Sequence, residues 1–316
     1  MQQVDLDSLK TKAAETGRIS DEEARAIMST VYGDGVISRD EAEAMFALND
    51  TLSGANRFWD ERFCEAIKDF LLTVEAPVGW ITKEESDWLK AMISKDGRIG
   101  LATELDLLLN VLRYAEGAPA ELGLYTLSAI SDYAKAQSYV DASTVERLRR
   151  ALYAAAGDGA VWVTRKEAVC LFDLNDVVFA AENDPSWNDL FARAIGNHVM
   201  AAAHPNPQSE EDAFAREKWL QESSSGLGGF FASMAGSLSD GSWLKKAKAN
   251  PAAEMREQYA EKEAIMRDAE TVNTEEENWL INRIGWDKKV TPAEQALIAF
   301  LKKEAPGFAA DIVSAA

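Results

Sequence analysis

The sequence predicts an all-α protein, an internally duplicated multi-helix bundle of two related helical repeats with essentially no sheet. Three observations predict it. Helix-start signals recur along the chain, and apolar residues return at spacings of three and four. Sustained two-residue alternation, the mark of a half-buried strand, is nearly absent.

The start signals are capping boxes, in which a Ser or Thr at the N-cap and a Glu three residues on satisfy each other's orphan backbone donors. They occur as Ser20 with Glu23, Ser38 with Glu41, Thr82 with Glu85, Thr164 with Glu167, Thr274 with Glu277 and Thr291 with Glu294. Pro292 follows the last N-cap, at the first helical position that proline favours. The boxes open apolar stripes such as Ala42, Met45 and Phe46, or Ala168, Leu171 and Phe172. Related joints lead into the helices at Gly17–Ser20, Asp34–Ser38, Asp96–Ile99, Asp158–Val161 and Asp287–Thr291. Glycine accepts the left-handed backbone that ends a helix, aspartate turns the chain, and the Ile or Val plugs the core before the next helix.

The stretch 37–50 returns at 163–176. Arg39, Glu41, Ala42, Phe46, Leu48, Asn49 and Asp50 find the same residue types at Arg165, Glu167, Ala168, Phe172, Leu174, Asn175 and Asp176. Trp59, Phe63, Ala66 and Ile67 are then echoed by Trp187, Phe191, Ala194 and Ile195, and Trp88, Leu89 and Ile93 by Trp279, Leu280 and Ile284. This pattern predicts one repeat at 1–125 and a second at 126–316, the second carrying an insertion at about 206–271. The insertion holds a Gly/Ser-rich apolar segment, 223–244, and then a charged helix expected at 251–270. Gly and Ser deny that segment a rigid backbone of its own, so it is expected either to be mobile or to fold back over the core. Leu227, Phe230, Phe231, Met234, Leu238 and Trp243 make it too apolar for a plain linker, which marks them as candidate partner-binding residues.

A formal charge of −20 and a pI near 4.6 set the class of partner. Such a field repels phosphate backbones, so nucleic acid is not an expected ligand. Cys64 and Cys170 lie in apolar helical patterns with neither a disulfide framework nor zinc spacing. The first residues have no secretory pattern and no apolar run is long enough to span a bilayer, so a cytoplasmic location is expected.

Catalytic signals are sparse, and the protein is not expected to be an enzyme. No phosphate-binding glycine loop, nucleophile elbow or dinucleotide fingerprint occurs. His198 and His204 stand six apart, too far round a helix to share a metal, and His198 aligns with Phe70 of the first repeat, which predicts a packing role. The Asp-Gly turns resemble the second half of an EF-hand loop. Glu41 takes the twelfth position from Thr30, yet positions one and three are Thr30 and Tyr32, too poor in carboxylates for the oxygen cage calcium requires. Around Asp158 those positions are Ala154 and Ala156, and Glu167 lies two residues too far. No cofactor is expected, although Asp34, Glu41, Asp158 and Glu167 remain candidate ligands for calcium or another divalent cation. Asn49 and Asp50, with Asn175 and Asp176, place polar residues where an apolar stripe should continue. They are expected to point inward and tie the following loop to the helix end.

The motif Asp34–Ala42, Asp-Gly-Val-Ile-Ser-Arg-Asp-Glu-Ala, resembles the TerB-like tellurite-resistance domains. The resemblance implies an all-helical fold with an acidic surface, on which clustered acidic residues serve metal binding and stress-response complexes. The Trp59/Trp187 pair and the Leu-Asn-Asp elements lie outside it.

These features together predict a non-enzymatic, acidic helical scaffold or adaptor that takes a protein partner through the apolar insertion. Divalent-cation binding or sensing at the Asp-Gly turns is the alternative. A further alternative is peripheral membrane contact through 227–248, where Phe230, Phe231 and Trp243 lie beside Lys245, Lys246 and Lys248. Partner identity and oligomeric state stay open.

Overall fold

The computed structural model describes residues 11–13, 15–33, 35–53, 56–94, 101–153, 163–203, 278–284 and 290–304. The fold is all-α: among the described residues there is no strand, only an isolated bridge between Trp80 and Gly117. The helices are α1 Asp21–Val31, α2 Arg39–Asn49, α3 Arg57–Asp69, α4 Lys83–Ile93, α5 Ala102–Tyr114, α6 Ala120–Gln137, α7 Ala142–Leu152, α8 Arg165–Val178, α9 Ser186–Ala203 and α10 Pro292–Glu304. Residues 278–284 are also helical, and a π-helical turn, Phe70–Val74, continues α3. Among the described residues no helix is long and apolar enough to cross a membrane.

Local chemistry starts the helices as expected. Ser20, Ser38, Thr82 and Thr164 each form a reciprocal capping box with the Glu three residues on. Thr291 and Glu294 do the same: the Thr291 N–H donates to Glu294 Oε2 at 2.7 Å and the Glu294 N–H to Thr291 Oγ1 at 3.3 Å. Thr274 and Glu277 lie outside the described residues.

The chain forms two compact units. One comprises Met1–Ser138 and Ser143–Gly159, the other Tyr139–Ala142 and Ala160–Ala316. Residue 125 lies inside the continuous helix α6, which belongs to the first unit and buries Leu122, Leu127, Ile130 and Ala134 along its length. The helix stops one residue past Gln137, where Ser138 takes the left-handed conformation (φ 66°).

In the first unit the core is a chain of aromatic rings. Phe46 stands edge-on to Phe63 (5.1 Å) and to Trp88 (5.8 Å), and Phe70 also meets Trp88 edge-on (5.4 Å). In the second unit Phe172 stands edge-on to Phe191 (4.9 Å) and to Trp279 (5.7 Å), and His198 meets Trp279 edge-on at 5.5 Å. Edge-to-face pairs set the positive ring edge against the negative face, and each contributes about 0.5–1.5 kcal/mol beyond area burial. An arginine caps each array, Arg39 over Trp88 (5.3 Å) and Arg165 over Trp279 (4.4 Å).

Candidate interaction surface

The paired polar residues split between inside and outside. Asn49 and Asn175 are each 1% exposed and serve as acceptors for tryptophan: Trp59 Nε1–H donates to Asn49 Oδ1 at 3.0 Å, and Trp187 Nε1–H to Asn175 Oδ1 at 3.4 Å. Each asparagine therefore ties its helix to the next helix, not to the intervening loop. Asp50 and Asp176 are exposed, which corrects the inward placement, since one step along a helix rotates the side chain by roughly 100°. Asp176 pairs with Arg283 at 2.8 Å, and Asp173 meets the same guanidinium.

Glu41 and Glu167 act as capping-box acceptors. Glu41 Oε2 takes the Ser38 N–H at 2.8 Å, and Glu167 Oε2 takes the Thr164 N–H at 2.7 Å. Asp34 and Asp158 lie outside the described residues, as do Leu227, Phe230, Phe231, Met234, Leu238 and Trp243. Among the described residues no group of three or more His, Cys, Asp or Glu side chains is placed to hold a metal ion.

His198 packs as expected. It is 5% exposed, and its Nδ1 lies 2.8 Å from the Val163 carbonyl, which fixes the proton on Nδ1. Asn197 Oδ1 accepts the Val163 N–H at 2.7 Å, so two neighbouring side chains hold both backbone groups of one residue.

A polar cluster binds α3, α5 and α7 in the first unit. Arg147 forms a two-pronged pair with Asp106 (2.9 Å on each arm), Thr103 Oγ1–H donates to Asp60 at 2.9 Å, and Arg150 donates to Asn110 at 3.2 Å. Burial, helped by the Asp106 charge, raises the Asp60 carboxyl pKa above its ordinary value. Burial, followed by the charges of Asp106 and Asp60, pushes the neighbouring Cys64 thiol up to about 12. A thiol held neutral to that degree is a packing group at physiological pH, because the thiolate is the nucleophile.

The described surface that stands apart is apolar and lies at the junction of two loops in the first unit. After the π-helical turn the chain passes a cis Ala76–Pro77 peptide and is fastened to the loop that follows α5. The Gly79 N–H donates to the Leu72 carbonyl (2.8 Å), the Glu116 N–H to the Gly79 carbonyl (2.7 Å) and the Ile81 N–H to the Gly117 carbonyl (2.9 Å). Gly79 takes φ +84°, a backbone region that glycine enters freely. Trp80 lies against Gly117 so closely that a Cβ there would come within 2.4 Å of the indole. Its other side faces solvent, leaving Trp80 49% exposed beside Val78 at 63%, and Tyr114 at the end of α5 is 57% exposed. Lys68 Nζ and the Arg113 guanidinium lie over the Tyr114 ring, at 5.1 and 5.4 Å from its centroid. Lys68 also pairs with Asp69 at 3.0 Å, whereas Arg113 is exposed and, among the described residues, faces no carboxylate partner.

Sequence reasoning missed this surface. Trp80 and Tyr114 belong to no repeated motif, and helical periodicity carries no information about a loop. The available signal was Trp80 falling three residues after Pro77 and just before the capping box at Thr82, where no helical stripe can absorb it.

No family model matches the chain, and the searches of curated proteins and of solved structures return no match.

Proposed function

We propose that the protein is a non-enzymatic, acidic helical adaptor whose first unit presents a preformed surface to a protein partner. The observation that carries this reading is the exposure of Trp80, Val78 and Tyr114 on two loops fastened to each other by backbone hydrogen bonds. Large apolar side chains exposed together mark interaction sites, and Trp, Tyr and Arg are the residue types that most often dominate binding energy. A pinned loop adds affinity because little of it must be ordered on binding. The apolar residues Leu227, Phe230, Phe231, Met234, Leu238 and Trp243 form a second proposed contact element. The recurrence of the Asn–Trp hydrogen bond and of the edge-on aromatic array supports reading the two units as copies of one helical repeat. In that reading the repeat is scaffold, and function lies in what the copies do not share.

The test is affinity purification of the intact protein beside Trp80→Ala and Tyr114→Ala, with thermal transitions recorded for all three. A partner held by the parent and lost from both variants, whose transitions stay in place, supports the reading. Identical co-purifying sets from all three would remove it.

A further inference from the structure

We infer that the surface around Trp80 recognises a basic segment of a partner protein, one in which an apolar side chain lies beside Lys or Arg. The inference rests on the adaptor reading and names the chemistry of its partner. Trp80 supplies the first observation. Arginines lie over Phe58, Trp88 and Trp279, and Lys68 and Arg113 lie over Tyr114, whereas among the described residues no cation covers Trp80. Its indole is half exposed, and of the aromatic side chains an indole face attracts a cation best.

The charges at the junction favour the same occupant. The Glu116 side chain packs on the loop that carries Val78 and Trp80, its carboxyl carbon 3.1 Å from where a Cβ on Gly79 would lie. Glu84 and Glu121 stand in the first turns of α4 and α6, the helices that leave the two loops. All three are exposed and, among the described residues, take part in no ion pair. Lys68 and Lys83, by contrast, are paired with Asp69 and Asp87 at 3.0 and 2.8 Å, which leaves Arg113 beside Tyr114 as the opposing charge. Carboxylates therefore prevail at this face, and the field of the −20 chain adds to them.

That balance sorts the possible occupants. Nucleic acid and an anionic membrane would bring phosphates into a negative field, and a second copy would bring the same excess of carboxylates. A basic apolar segment satisfies both parts of the surface. Its cations meet the indole of Trp80 and the carboxylates around it, while its apolar side chain covers Val78.

Three fluorescein-labelled peptides of one Leu pattern test this, with the remaining positions filled by Lys/Arg, by Asn/Gln or by Asp/Glu. Each is titrated with the full chain by anisotropy. The Lys/Arg peptide is expected to bind about tenfold more tightly than the Asn/Gln peptide, an advantage that shrinks at about 1 M salt, where screening acts over roughly 3 Å. Two variants that remove the same charge separate this face from general attraction to an acidic chain. Glu116→Gln should weaken the basic peptide several-fold, whereas Glu22→Gln, at an exposed position of α1, should change it by less than about twofold. Trp80→Leu keeps an apolar side chain and removes the indole, so it should weaken the basic peptide more than the amide peptide. Thermal transitions recorded for each variant should stay in place. Equal binding of the basic and amide peptides, equal effects of Glu116→Gln and Glu22→Gln, or basic-peptide binding untouched by Trp80→Leu overturns the inference. Binding of none of the peptides overturns it too, and partner capture by the intact chain then decides the adaptor reading separately. A dimer by light scattering that Trp80→Leu dissolves gives the face to a second copy. A gain in peptide affinity when Lys245→Glu and Lys246→Glu are combined gives it to the chain's own lysine-bearing stretch. Either result also overturns the inference.

Discussion

Asn175 Nδ2–H donates to Thr291 Oγ1 at 3.0 Å, across 116 residues of chain, and this bond completes an amide whose oxygen already accepts from Trp187. Asn49 accepts from Trp59 in the same way, yet its Nδ2 is buried with no hydrogen-bond partner. Asn175 owes its second partner to the N-cap of α10. Thr291 precedes α10 and carries a hydroxyl; Leu101 precedes α5 and carries none, although Glu104 Oε2 still accepts the Leu101 N–H at 3.3 Å.

Leu101→Thr is expected to stabilise the first unit. A hydroxyl at the N-cap can accept a backbone N–H of the first turn, worth about 1 kcal/mol, and if the two units share one repeat geometry it also reaches the Asn49 amide. Equilibrium denaturation in urea should show a higher midpoint with an unchanged slope. A lower midpoint would mean that the apolar contacts of Leu101 outweigh the hydrogen bonds gained.

Trp59→Phe is expected to cost more than Trp187→Phe. In both variants a buried asparagine oxygen loses its donor, a penalty of about 1–3 kcal/mol. Asn175 keeps Thr291, whereas Asn49 would be left with no side-chain partner at either end. Asn49→Leu in the Trp59→Phe background should therefore recover part of the loss, because an apolar pair of similar shape leaves nothing unsatisfied. A double-mutant cycle measures this coupling, and strictly additive costs would sink the account.

These residues show what was legible in the sequence and why. The capping boxes needed only a Ser or Thr and a Glu three positions apart, and the relevant geometry is contained in one helical turn. The aromatic arrays were legible because Trp59 and Phe63 repeat their spacing at Trp187 and Phe191, and Phe46 recurs at Phe172 inside the motif that precedes them. His198 was legible as the counterpart of Phe70, and both meet a tryptophan edge-on. The bond from Asn175 to Thr291 was hidden because nothing local pairs residues that far apart. The outward turn of Asp50 and Asp176 was lost by treating two adjacent residues as one feature. The surface at Trp80 was invisible for another reason: exposure in a loop depends on which second loop covers it, here the one containing Gly117.

Gly117→Ala should act on the candidate surface without touching its chemistry. A Cβ at that position would lie 2.4 Å from the Trp80 ring, so the indole must move or the two loops must part. Trp80 fluorescence should shift, with Trp80→Phe as the control that identifies the signal. Partner capture should fall as it does for Trp80→Ala. If capture persists after the indole has demonstrably moved, placement of Trp80 by Gly117 is irrelevant to binding.

Cys64 supplies a prediction on the alkaline side. Burial first, then Asp106 and Asp60, raises its thiol from 9.0 to about 12, so the fold favours the neutral form. Its contribution to stability is full below pH 9, the value of the unfolded chain, and is lost as pH rises from there towards 12. Wild type and Cys64→Ala should differ by a constant amount at neutral pH, about 1 kcal/mol for the small void left by the sulfur. The gap should close as the pH passes 9, because only the wild type gains a thiolate on unfolding. Denaturation curves at several pH values measure this difference and cancel the other titrating groups common to both proteins. The native thiol should also resist iodoacetamide under conditions where the unfolded chain reacts, since thiolate is scarce and Cys64 is only 4% exposed. Rapid native alkylation at Cys64, or a gap that widens with pH, would show that the pocket formed with Thr103 and Asp106 does not hold the thiol neutral.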